Sequence, residues 1–150
     1  MKTSIKAIRT GVVLVCSSVA LVAQAQMTPV GNWHTFDDQT GEIKGLVTIS
    51  EAQGVLTGRA MKILRKNTDP NELCTLCSDD RKDKLIVGME VIRGVKKVDG
   101  KDVWEGGKVL DPENGKEYTV RLTPIEDGKK LAVRGSIAFF WRTQTWVRVP

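Results

Sequence analysis

Past Gln26 the apolar residues fall in short runs parted by polar, glycine-bearing separators, and no 3.6-residue period is sustained. Runs at 46–50, 55–64, 85–97, 103–110, 117–123, 130–136 and 139–149, with an opening run near 32–36, predict eight strands. Tyr118, Val120 and Leu122 alternate with Thr119 and Arg121, the period of a strand with one face buried. Gln39-Thr40-Gly41, Gln53-Gly54, Asp99-Gly100, Asn114-Gly115 and Asp127-Gly128 each set a glycine beside a polar residue, the chemistry of tight hairpins. Strands joined mainly by hairpin-sized gaps form an antiparallel meander. A small meander removes its exposed edges by pairing first strand with last. The predicted fold is all-β, an up-and-down antiparallel barrel of about eight strands, with a two-sheet sandwich as the alternative.

Residues 65–84 break this rhythm. They are polar, hold Asp69-Pro70 and a charge cluster from 79 to 84, and carry Cys74 and Cys77. A loop of this length in a compact domain is usually functional, disordered or pinned.

The first 25 residues have a different character. A basic start (Lys2, Lys6, Arg9) leads into a small, apolar stretch from 11 to 23, and Ala23-Gln24-Ala25 offers a small-residue cleavage pattern. This is the layout of a secretory signal cut before Gln26. The apolar run falls short of the roughly 20 residues that a spanning helix needs. One domain over residues 26–150 is then expected, periplasmic or secreted and not membrane-spanning. Of the formal charge of +5, three units sit in the leader, so the basic balance says little about nucleic acid. Cys16 would leave with the leader, and the remaining pair, Cys74 and Cys77, predicts a disulfide in an oxidising compartment.

The ordered motifs carry a resemblance. Gly31-Asn32-Trp33, Cys74-Thr75-Leu76-Cys77, the run from Trp104 to Pro112, Asn114-Gly115-Lys116 with Tyr118, Val133-Arg134-Gly135, and the run from Arg142 to Arg148 follow one another. In that order they resemble the secreted bacterial domain-of-unknown-function family 2147, over nearly all of residues 27–149. The resemblance implies a signal peptide and a lipocalin-like barrel; it brings no activity. Phe139-Phe140-Trp141 departs from the family pattern, which has smaller residues there, including glycine. Gly31-Asn32-Trp33 also resembles the lipocalin signature, in which a first-strand Trp packs at the closed end under a last-strand Arg. Here that pair would be Trp33 and Arg148, the guanidinium stacked on the indole.

Reaction chemistry finds little support in the sequence. His34 is the single histidine, and Ser50, Ser78 and Ser136 stand in no nucleophile elbow. One Cys-x-x-Cys supplies two of the four ligands of a structural zinc site, and it does not sit at a helix start as a thioredoxin-like pair would. Asp37 and Asp111 read as turn-entrance residues, and no pair among Glu105, Asp111 and Glu117 is singled out for glycoside chemistry. Lys96, Lys97 and Lys101, like Lys129 and Lys130, flank hairpin tips without interleaved aromatics, so no nucleic-acid groove is expected. No catalytic residue, metal ligand or cofactor is predicted.

The last strand is the candidate binding face. Period two places Arg142, Gln144, Trp146 and Arg148 on one side and Trp141, Thr143, Thr145 and Val147 on the other. Pointing inward, the first set would give an amphiphilic lumen with an aromatic wall and two cations, suited to a small ligand with an apolar body and acidic head. Pointing outward, it would be plain surface. The lipocalin-like resemblance favours inward. The functional expectation is an exported barrel that binds a small amphiphilic or lipophilic ligand without catalysis. The alternatives are an envelope redox or metal-handling protein acting through Cys74 and Cys77, and a packed structural or interaction module whose partners meet loop 65–84.

Overall fold

Hairpin connections and β-branched runs decide the architecture. A computed structural model describes residues 27–150; the expected leader, 1–25, and its cleavage before Gln26 lie outside the described residues. Among the described residues are eight strands: β1 (Gly31–Phe36), β2 (Ile43–Ala52), β3 (Val55–Ile63), β4 (Glu90–Lys97), β5 (Trp104–Asp111), β6 (Lys116–Ile125), β7 (Lys130–Ile137) and β8 (Phe140–Val149). Each pairs antiparallel with the next, and β1 pairs antiparallel with β8, so the sheet is a closed barrel. Pairing of β1 with β8 covers one end of the seam against extension by another chain.

Closure is narrow. The seam between β1 and β8 holds only Asn32↔Val149, Trp33↔Arg148 and His34↔Val147 in register. Those three pairs lie at one end, where the core is tightest: Trp33, Leu56, Ile92, Val95, Leu122 and Leu131 are fully buried. Arg148 seals this end. Its guanidinium stacks 4.2 Å from the Trp33 ring centroid and donates to the carbonyls of Thr28 (2.7 Å), Val30 (2.8 Å) and Gly128 (2.6 Å). The Trp33 indole donates to the Pro29 carbonyl at 2.7 Å, tying the segment that precedes β1 under the same plug.

The segment between β3 and β4 differs from a solvated loop. Cys74 and Cys77 form a disulfide and are buried, at 0% and 2% exposure, and Ile86 and Met89 join the core. The strand expected from residue 85 begins only at Glu90. Residues 85–89 form a turn, held by an isolated bridge between Leu73 and Leu85. Polar composition hid this packing because ion pairs anchor the segment. Arg81, 4% exposed, pairs with Asp79 and Glu117 and donates to the Glu90 carbonyl, while Arg93 grips Asp80 through both terminal nitrogens at 2.9 Å. The β5–β6 turn meets the disulfide loop backbone to backbone. A Cβ on Gly115, whose φ is +68°, would lie 1.9 Å from the Leu76 carbonyl oxygen.

Candidate functional site

The strand ends opposite the Trp33 plug do not pack shut. They enclose a cavity of about 440 Å³, within the range of about 300–1,000 Å³ typical of small-molecule sites. Inward positions supply its apolar wall, among them Val47, Ala60, Val109, Val133 and Trp146. Gly135 contributes by being small: the Tyr118 ring lies against it, and a Cβ there would meet Tyr118 Cβ at 3.2 Å. Ile86, from the segment that carries the disulfide, also lines the cavity.

Alternation along β8 turns Arg142, Gln144 and Trp146 toward this space, and all three line it. They form a polar ladder up the wall. The Trp146 indole donates to the Gln144 side-chain oxygen (3.3 Å), the Gln144 amide donates to Asp38 (2.9 Å), and Arg142 pairs with the same Asp38 oxygen (3.0 Å). Asp38, in the β1–β2 connection, thereby bridges the stretch of the seam above His34 where β1 and β8 no longer pair. The expected pair of lumenal cations is not found. Arg148 faces inward but is spent on the plug at the far end, and Arg142 is held by Asp38.

A different cation takes that place. Lys44 and Arg65 at the mouth both pair with Glu113, and Arg65 also pairs with Glu72. Lys62 lines the cavity and, among the described residues, has no acidic or hydrogen-bonding partner. Lys62 is not among the residues that the sequence singled out. The β2–β3 register shifts between Ala60 and Lys62, so the inward period-two series Leu56, Gly58, Ala60 does not extend to Lys62 and gave no signal for it.

The other candidates are engaged elsewhere. Asp37 accepts from the backbone N–H groups of Thr40 and Gln39, which hold its carboxyl below the usual range, and Asp111 accepts from the N–H of Glu113. Glu105 pairs with Arg121 and Glu117 with Arg81. Among the described residues no three His, Cys, Asp or Glu side chains converge as a metal site, and no helix is long and apolar enough to cross a membrane.

Asp79 carries a pH consequence. Hydrogen bonds from the Arg81 side chain and its backbone N–H pull the Asp79 pKa from 3.8 to about 2. A depressed folded-state value contributes stability above the unfolded value and loses it as pH falls through the folded one. The window is therefore from about pH 4 down to about pH 2. In acid titrations of unfolding free energy, Asp79→Asn should flatten the slope across that window. Identical slopes for the two proteins would rule out this contribution.

Comparison with known proteins agrees with the geometry. The profile of the family described as "Uncharacterized protein conserved in bacteria (DUF2147)" matches residues 31–148. Among solved structures, the barrel is similar to protein HP1028 from the human pathogen Helicobacter pylori, described as belonging to the lipocalin family. The TM-score is 0.68 at 19% identity, over 81% of this chain and 82% of that one. No curated protein matches the chain in sequence.

Proposed function

The chain belongs to the DUF2147 family of uncharacterized bacterial proteins, and we propose that it is an exported, non-enzymatic barrel that holds a small amphiphilic ligand, apolar body inward and anionic head at the mouth. The lipocalin-like fold makes binding of small ligands plausible. The observation that carries the reading is an apolar cavity of about 440 Å³ with Lys62, free of any acidic partner among the described residues, at its opening. A cation at the mouth of an apolar chamber favours an acidic amphiphile over a neutral one, because a charge-assisted bond adds to the hydrophobic term. Export is supported by the basic-apolar start of the sequence and by the Cys74–Cys77 disulfide, which persists in oxidising compartments. Burial of both cysteines weighs against a redox role, since reactive thiols are partly exposed.

Dodecanoate and dodecanol, titrated against the emission of the wall residue Trp146, test this. Wild type should bind dodecanoate more tightly than the alcohol. Lys62→Met should weaken dodecanoate by about tenfold, the equivalent of about 1.4 kcal/mol, and leave dodecanol unchanged. Val133→Trp should fill the chamber and abolish both. Failure of wild type to bind either probe would overturn the reading.

A further inference from the structure

We propose that the tip of the β7–β8 hairpin is a docking wedge that sets the mouth of the barrel against an anionic lipid bilayer. The inference goes beyond ligand binding and does not require the cavity to be filled.

Three consecutive aromatic residues form the tip. Phe139, Phe140 and Trp141 are 91%, 77% and 65% exposed, whereas the other three tryptophans, Trp33, Trp104 and Trp146, are buried. Isolated apolar residues on a surface need no explanation, but a contiguous large-aromatic patch marks a contact site. The backbone is committed to presenting it. The hairpin closes through Ala138 and Phe139, since Ile137 pairs with Phe140, and Ala138 holds φ +50°, a conformation unfavourable for a residue with a side chain.

Shape and charge select the partner. The aromatics occupy both faces of a two-residue turn: Phe140 follows the inward series of Arg142, and Trp141 the outward series of Thr143. They form a convex wedge, not a flat patch, and a hairpin tip offers far less area than the roughly 800 Å² per partner of a stable protein interface. A bilayer accepts a wedge, and aromatic rings prefer its interfacial zone. On β7 and β8 the cations nearest the tip are Arg134 and Arg142, whereas Lys129, Lys130 and Arg148 lie at the plug end. Arg134 lies 5.0 Å from the Trp141 ring centroid and, like Lys108 in the neighbouring row, has no acidic partner among the described residues. Apolar insertion together with basic residues at the headgroups is the two-signal arrangement that holds a protein on anionic lipid. Phe140 and Trp141 also line the cavity mouth, so docking would open the chamber toward the acyl chains.

Trp141 reports on the tip directly, because the other tryptophans are already shielded. The full chain is mixed with vesicles of phosphatidylglycerol and phosphatidylcholine, or of phosphatidylcholine alone, and Trp141 emission is followed with brominated acyl chains as quenchers. The expected result is a blue shift and quenching with the anionic vesicles, weakened by salt. F139S, which keeps Trp141 and changes no residue of the cavity lining, should need about tenfold more anionic lipid for the same shift. Its dodecanoate affinity, measured without vesicles, should stay within about twofold of wild type. An unshifted Trp141 with anionic vesicles would overturn the proposal whether or not dodecanoate binds. A shift that tracks protein concentration without lipid would assign the tip to a second copy instead. A parallel loss of dodecanoate binding in F139S would assign it to the cavity.

Discussion

Arg148→Lys should lower the unfolding free energy by about 2 kcal/mol, a large loss for a conservative change on a 150-residue chain. The Arg148 guanidinium does two things at once. Its face covers the Trp33 indole, and its edge donates to three carbonyls, of Thr28, Val30 and Gly128, which come from two separate segments. An ammonium has neither a planar face nor a fork, so the stacking goes and at least one carbonyl at the closed end loses a charged donor. The register adds to the cost, because Trp33↔Arg148 is the middle of only three pairs that close the barrel between β1 and β8. Burial disfavours the charged form of Arg148, and its carbonyl partners offset that. Arg59→Lys is the control. That side chain is about half exposed on β3 and bonds to Glu90 and the Gly88 carbonyl, an arrangement that should cost under about 1 kcal/mol. Urea unfolding of the three proteins decides the point. A difference between Arg148→Lys and Arg59→Lys within error would mean that the plug does not hold the seam.

Where local chemistry sets the structure, the sequence was legible. Glycine beside a polar residue marked the turns after β2 and β6 correctly, with Gly54 and Gly128 both at φ +76°. Alternation then assigned faces: Val120 and Leu122 are buried, with Arg121 exposed between them. What could not be read depends on partners distant in sequence. The 65–84 segment resembled a solvated loop because its apolar residues are few. Its stability comes from Arg81 meeting Glu117 on β6 and Arg93 on β4 meeting Asp80, pairings that no short-range pattern announces. The face of β8 could be listed but not weighted, for a similar reason. Asp38 lies more than a hundred residues from Gln144, and its ion pair with Arg142 leaves Lys62, among the described residues that line the cavity, as a cation open to a ligand. The β7–β8 turn had no glycine to mark it, and its exposed aromatics stood out only as a departure from the family pattern at the start of a strand.

Gly106 and Gly107 stand side by side in β5, yet substituting each by Ala should have different consequences. Register slips between Trp104 and Gly107 on the β6 side, which marks a bulge, and bulges bend a strand and let a small barrel close. Gly106 provides the bend with φ +85°, and a Cβ there would meet nothing within 4 Å. Gly106→Ala should therefore cost only the torsional strain, about 1–2 kcal/mol. Gly107 needs no unusual torsion; it needs the absence of a side chain. A Cβ there would lie 2.3 Å from the Arg93 carbonyl oxygen and 2.7 Å from the Val95 backbone nitrogen. Both obstacles are backbone of the neighbouring β4, which cannot swing aside as a flexible side chain could. Relief requires separating β4 from β5 next to Ile92 and Val95, two fully buried core residues. Gly107→Ala should cost about 3 kcal/mol or more and lower the yield of folded protein. Thermal melts of the two variants separate the mechanisms. Equal losses would mean that the close approach of β5 to β4 does not limit the barrel, and that the bulge torsion alone explains the glycine pair.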